Sequence, residues 1–222
     1  MKSYGVIFDM DGVLIDSCPA HFKAWTRLAH AHGETFTYEQ FISVSGQINS
    51  VLIPRLWGHA LKDKAEAERW AEEKEQYYRE ILKAEFPTMK GADALIAALS
   101  GAGFRLAVGS AGPQGNVQAA LDGLTNSKLF NAVVHGCELK HGKPDPEVFL
   151  LAAQRISMPT NRCCVIEDAP LGLQAARAAG MTAIGLTGTS PREQLAPLAD
   201  RVVDSLEELT PVAIAELIDR RG

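Results

Sequence analysis

From Gly91 onward, short β-branched runs and helical segments take turns along the chain, and this alternation limits the fold more than any other feature of the sequence. The runs are RLAVGS, AVVHG, CCVIED, TAIGLT and RVVDS, and between them stand segments such as GADALIAALSGAG, PEVFLLAAQRI and PLGLQAARAAG. Strands and helices in regular succession predict a parallel sheet with helices packed on it. The runs are apolar at both alternating positions, as expected when both faces of the sheet are covered. The chain is therefore expected to be α/β.

A first strand-like run, YGVIFDM, precedes this series by almost a hundred residues, far more than one crossover helix needs. The intervening segment is rich in helix formers, including AHFKAWTRLAHAHG and DKAEAERWAEEKEQYYREILKAEF, and its strand signals are weak. It predicts a small helical module, residues 17–88, inserted over the end of the first strand into a core built from residues 1–16 and 89–222. On the second of these helices Trp70, Tyr77 and Ile81 are expected to face inward, with paired charges on the solvated face.

With 222 residues, 46% of them hydrophobic and 22% charged, the chain can bury a real core. A net charge of -5 leaves no broad basic surface for nucleic acid or an anionic membrane, so any anion site must be local. Cys18, Cys137, Cys163 and Cys164 show no CxxC spacing and read as reduced. Acidic residues interrupt the N-terminus before any signal-length apolar stretch, and no run of about 18 apolar residues occurs, so a cytoplasmic location is expected. Oligomeric state is not legible.

The strongest chemical signal is FDMDGVLIDS, where an apolar strand runs into Asp9, Asp11 and Gly12. Ligands of parallel sheets collect at the carboxyl ends of strands. Two acids there suit phosphoryl transfer: one attacks phosphorus and the other protonates the leaving oxygen. An Asp-Gly turn with no chemistry is the alternative. Bringing a phosphate to a carboxylate calls for a cation, and Mg2+ takes a few carboxylates with phosphate oxygen and water. Glu167 and Asp168, ending the run VIED, are candidate ligands, although Asp168 could instead cap the helix that Pro170 opens. In VGSAG, Ser110, Ala111 and Gly112 offer a hydroxyl and backbone N–H groups to anionic oxygens, or form an ordinary turn. Lys143 in GKPDP lies just before a helix that Asp145 and Pro146 could open, where a solvated lysine is the plain reading.

Taken together, FDMDGVLIDS, VGSAG, GKPDP and VIEDAPLG resemble the four motifs of the haloacid dehalogenase-like hydrolases, in their order and over nearly the whole chain. The resemblance implies a Rossmann-like core with an inserted α-helical cap. It implies Asp9 as nucleophile and Asp11 as general acid/base. Ser110 with the Ala111 and Gly112 backbone would bind the phosphoryl group, beside Gly12, and Lys143 would balance its charge. Mg2+ would be held by Asp9, the Asp11 main-chain carbonyl and Asp168, with Glu167 as a further or outer ligand. Relatives that displace halide lack an acid two residues after the nucleophile, so Asp11 speaks for phosphoryl transfer.

The run DSCPAHFKAW resembles the start of the cap in β-phosphoglucomutases and their sugar-phosphatase relatives, which makes His21 a cap-side partner of the acid/base aspartate. A mutase must bind a second phosphate, which calls for cations. Where mutases carry a lysine and an arginine this chain reads SVSGQINSV, with no cation. The expectation is therefore a phosphatase acting on a small phosphorylated metabolite, a sugar or polyol phosphate first, with Gly46, Gln47 and Asn49 at the leaving group. A β-phosphoglucomutase-like isomerase and a non-catalytic ligand-binding protein are the alternatives.

Overall fold

A computed structural model describes residues 3–44 and 49–221. In chain order its elements are β1 (Gly5–Phe8), α1 (Cys18–Ala31), α2 (Tyr38–Val44), α3 (Asn49–Trp57), α4 (Lys64–Ala84), α5 (Ala92–Gly101), β2 (Arg105–Gly109), α6 (Gln114–Gly123), β3 (Ala132–Val134), α7 (Glu147–Arg155), β4 (Cys163–Glu167), α8 (Pro170–Ala178), β5 (Thr182–Leu186), α9 (Arg192–Leu195), β6 (Arg201–Val203) and α10 (Pro211–Arg221). They fall into two compact units: a core unit of residues 1–16 and 87–222, and a helical unit of residues 17–86.

The core unit carries one parallel sheet of six strands in the order β3-β2-β1-β4-β5-β6. The fold is α/β, and each strand-like run of the sequence forms a strand. Strands β1, β4 and β5 are buried along their whole length, because helices cover both faces. One face packs Ile7, Ala107 and Val165 against Val148, Phe149 and Ala152 of α7 and Leu173 and Ala176 of α8. Strand order reverses between β1 and β4, and in sheets of this kind that crevice is where ligands bind. Its two walls end in Asp9 and Glu167.

The chain leaves and re-enters the core unit along neighbouring paths. Asp16 N–H donates to Pro87 O at 2.8 Å, and Met89 N–H to Leu14 O at 2.9 Å. An insertion whose ends lie together leaves the sheet register undisturbed.

Among its described residues the helical unit holds four helices and no strand. Its core is aromatic, with Trp25, Phe36, Phe41, Trp57 and Trp70 around Leu28, Leu52 and Ile53. Helix α4 begins cleanly because Asp63 accepts from Glu66 N–H at 2.7 Å and Glu66 Oε2 accepts from Lys62 N–H at 2.7 Å, a reciprocal cap. Its buried stripe differs from the sequence expectation. Trp70 faces inward, but Tyr78 and Leu82 follow it, while Tyr77 and Ile81 are half-buried. The stripe passes through Lys74, a charged residue that a reading of hydrophobic spacing does not count as inward. Tyr77 packs at the edge of the aromatic core, as expected, while its hydroxyl donates to Glu73 at 2.5 Å and the Arg27 guanidinium covers its ring. Among the described residues no helix is long and apolar enough to cross a membrane.

Candidate active site

The ladder of β1 continues one residue past the strand, with Asp9 N–H donating to Ile166 O at 3.0 Å. The chain then turns tightly. Met10 O accepts from Leu14 N–H at 2.9 Å and from Ile15 N–H at 3.2 Å, and Gly12 N–H donates to Ile15 O at 2.8 Å. Gly12 sits at φ 78°, where a side chain is strained, and a Cβ there would lie 2.0 Å from Asp168 Oδ2. Glycine thus lets the Asp168 carboxylate lie against the backbone beside Asp9 and Asp11.

Lys143 ties the loop before α7 to both walls of the crevice. Its Nζ donates to Asp9 Oδ1 at 2.7 Å and to Glu167 Oε1 at 2.6 Å. Lys143 is therefore no solvated loop lysine. Asp145 Oδ1 accepts from Glu147 N–H at 2.9 Å in the first turn of α7, which fixes the segment that carries Lys143. At the next strand end the second oxygen of Glu167 accepts from Ala169 N–H at 2.7 Å. Ala169, with Pro170 after it, occupies the N-cap position of α8, so the capping explanation of Asp168 falls away. Asp168 is buried and bonded to the Thr189 hydroxyl, a partner after β5 that no sequence motif marked.

Asp9, Glu167 and Asp168 offer carboxylate oxygens that all lie within 4.8 Å of one another. One lysine stands against these three acids, and the electrostatics show the imbalance. Burial pushes the Asp9 carboxyl well above the usual carboxylate range; Lys143 pulls it back, while Glu167 and Asp11 push it further. Asp168 is raised by burial too, then by Glu167 and Asp9, against a smaller pull from the Thr189 hydrogen bond. Burial alone would push Lys143 down, but Asp9 and Glu167 outweigh it and keep the ammonium charged. A buried, all-oxygen donor set with excess negative charge suits a hard divalent cation. Mg2+ fits these residues.

The loop after β2 forms the third wall. Ser110 is buried, its N–H donates to Val134 O at 3.0 Å, and its Oγ accepts from Gly112 N–H at 3.0 Å. A Cβ built on Gly112 would stand 3.2 Å from Ser110 Oγ and 3.8 Å from Asp11 Oδ2. Asp11 therefore reaches this loop while standing close enough to Asp9 to raise its carboxyl.

A model of the haloacid dehalogenase-like hydrolases matches residues 5–180. The chain belongs to that family. Among similar hydrolases, the phosphorylated carbohydrates phosphatase of Thermotoga maritima is 34% identical over 81% of this chain and 82% of its own. The fructose-1-phosphate phosphatase YqaB of Escherichia coli is 35% identical over 81% of this chain and 94% of its own. A crystal structure of β-phosphoglucomutase from Clostridium difficile, 28% identical, superposes with a TM-score of 0.82 over 99% of this chain and 98% of that one.

The remaining expected residues of this hydrolase belong to the helical unit. Asn49 Nδ2 donates to Glu75 Oε1 at 2.5 Å, and His21 stacks on Tyr78 with ring centroids 4.0 Å apart. Gly46 and Gln47 lie outside the described residues. Sequence reading missed the centre of this group, Lys74. Only 2% exposed, it lies 2.8 Å from His21 Nδ1 and 2.9 Å from Glu75 Oε1. The adjacent Lys74 and Glu75, on the same helix face as Trp70 and Tyr78, were the available signal, hidden by the many surface charges of the same helix.

Proposed function

We propose that the protein hydrolyses the phosphate monoesters of small sugars or polyols with Mg2+, carrying the phosphoryl group on Asp9 between two displacements. That it is a phosphatase of the haloacid dehalogenase-like family follows from the family match and from its phosphatase relatives. The observation that carries the mechanistic reading is the pairing at the end of β1. Asp9 sits among buried carboxylates beside Lys143, while Asp11 reaches toward the Ser110–Gly112 loop.

In this reading Ser110 and the loop N–H groups hold the phosphoryl oxygens, and Lys143 favours the ionised form of Asp9. An Asp9 oxygen attacks phosphorus, the ester P–O bond breaks, and Asp11 gives its proton to the leaving alkoxide. Asp11, now a carboxylate, takes a proton from water as that water attacks phosphorus. The bond to Asp9 breaks and inorganic phosphate leaves. Asp9, Asp168 and the Asp11 carbonyl would hold Mg2+, with Glu167 behind them. When bound, the ion supplies positive charge that lets a dianionic phosphate approach a carboxylate.

Hydrolysis is preferred to mutase chemistry on one specific ground. The stretch SVSGQINSV, where mutases carry a lysine and an arginine, holds no cation for a second phosphate. The sugar preference is supported by what the phosphatase relatives act on, phosphorylated carbohydrates and fructose 1-phosphate. The test is phosphate release from a panel of sugar, polyol, nucleoside and glycolate phosphates, with Mg2+ or chelator, alongside an assay for glucose phosphate isomerisation. Metal-dependent release, highest on sugar or polyol phosphates, is expected. Isomerisation without release would replace this reading by the mutase, and neither activity on any compound would favour a binding protein.

A further inference from the structure

We infer that the turn leaving β3 holds the loop after β2 in its phosphate-binding shape, and that Gly136 is a positioning residue for phosphoryl recognition. The inference rests on the reading that Ser110, Ala111 and Gly112 bind the phosphoryl group. It adds residues that belong to none of the four motifs.

The two segments are laced together by main chain. Beyond the β2–β3 ladder, Val134 O accepts from Ser110 N–H at 3.0 Å, and Gly136 N–H donates to Gly112 O at 2.8 Å. Between these bonds the Ala111 carbonyl points at the α-carbon of Gly136. A Cβ there would lie 2.1 Å from Ala111 O, 2.8 Å from Ala111 C and 3.1 Å from Gly112 O. Gly136 does not lie at positive φ, so its backbone shape is open to other residues. Glycine is required for room alone. The atoms it makes room for are main-chain atoms, which cannot swing aside as a side chain does.

The peptide joining Ala111 to Gly112 is the one affected. In a trans peptide N–H and C=O point in opposite directions, so an Ala111 carbonyl turned to β3 directs the Gly112 N–H away from it, toward Ser110 Oγ. Any side chain at 136 must push this peptide toward the cleft by roughly an ångström, a displacement that can cost on the order of a hundredfold in rate. The turn itself is braced from behind. Arg155 donates to Val133 O at 2.6 Å and pairs with Glu138, whose Oε1 accepts from His135 N–H at 3.1 Å.

The experiment measures KM, kcat and inhibition by inorganic phosphate for the native protein, Gly136→Ala, Ser110→Ala and Gly101→Ala, with stabilisation by Mg2+ as a second readout. Gly101 has open space around its missing Cβ and serves as the control. Gly136→Ala is expected to weaken phosphate inhibition and raise KM by roughly ten- to a hundredfold, while Mg2+ still stabilises it as it does the native protein. If Ser110→Ala weakens phosphate binding and Gly136→Ala does not, the inference is wrong and the functional reading stands. If neither does, the functional reading itself fails. Should Gly136→Ala not fold, Arg155→Met decides. Weaker phosphate inhibition with unchanged Mg2+ stabilisation supports the brace, and unchanged phosphate inhibition overturns it.

Discussion

Replacing Asp168 by Asn should make the metal-free protein more stable while destroying its response to Mg2+. Burial and the neighbouring Glu167 and Asp9 lift the Asp168 carboxyl from 3.8 to about 8. Between those values the unfolded chain has released a proton that the folded protein retains. Stability therefore falls as pH rises through this window, by about 1.36 kcal/mol per pH unit, and the loss is complete above the folded value. Near pH 7 the penalty comes to on the order of 4 kcal/mol. Asparagine removes the charge but keeps a carbonyl for the Thr189 hydroxyl, so most of that penalty should be recovered, a rise in Tm of roughly 10 °C for a chain of this size. Urea unfolding in chelator at several pH values from 5 to 8 measures it. The native protein should lose stability across the series and the variant should lose less, with Mg2+ stabilising the native protein alone. A variant no more stable than the native protein near pH 7, with the same pH slope, would refute the view that Asp168 is held at a cost until a cation arrives.

Other outcomes follow from the same geometry. Lys143→Met leaves Asp9 and Glu167 without their shared cation, so stability should fall by about 3–5 kcal/mol and kcat/KM by at least ~100-fold; urea titration and phosphate release check both, and a native-like midpoint would contradict it. Lys74→Met leaves the buried Glu75 with its Asn49 hydrogen bond but without its cation, at a cost of about 3 kcal/mol, whereas Lys74→Met with Glu75→Leu should recover most of it. Equal losses in the single and double variants would show that the pair is not coupled. Cys18 and Cys137 are exposed, while burial pushes the Cys163 thiol up to about 12 and raises Cys164 further. Two thiols should therefore react with a chromogenic disulfide in the folded protein and two only after unfolding; a third fast thiol would contradict the buried β4.

What the sequence could reveal was whatever repeats or clusters along the chain. The runs from YGVIFDM to RVVDS are apolar at successive positions, and each became a strand. Asp9, Ser110 and Asp168 stood out because each follows a strand end, where a parallel sheet gathers them, whereas Lys143, in the loop before α7, was legible only through the GKPDP motif. The inward stripe of α4 was misjudged because Lys74 interrupts its hydrophobic spacing, and only the fold supplies the His21 and Glu75 partners that make burial tolerable. Gly136 and Thr189 were silent for another reason. Their roles depend on which loops neighbouring strands bring side by side, and spacing along the chain does not contain that distance.

The central claim is that phosphorus is bonded to Asp9 during turnover. Rapid acid quench of the protein with labelled substrate and Mg2+, followed by borohydride reduction and peptide mass analysis, tests it directly. The account predicts labelled phosphate bound to the native protein before reduction, homoserine at position 9 after it, as hydride displaces the phosphoryl group, and neither from Asp9→Asn. Full turnover by a folded Asp9→Asn, or label on any other residue, would contradict it.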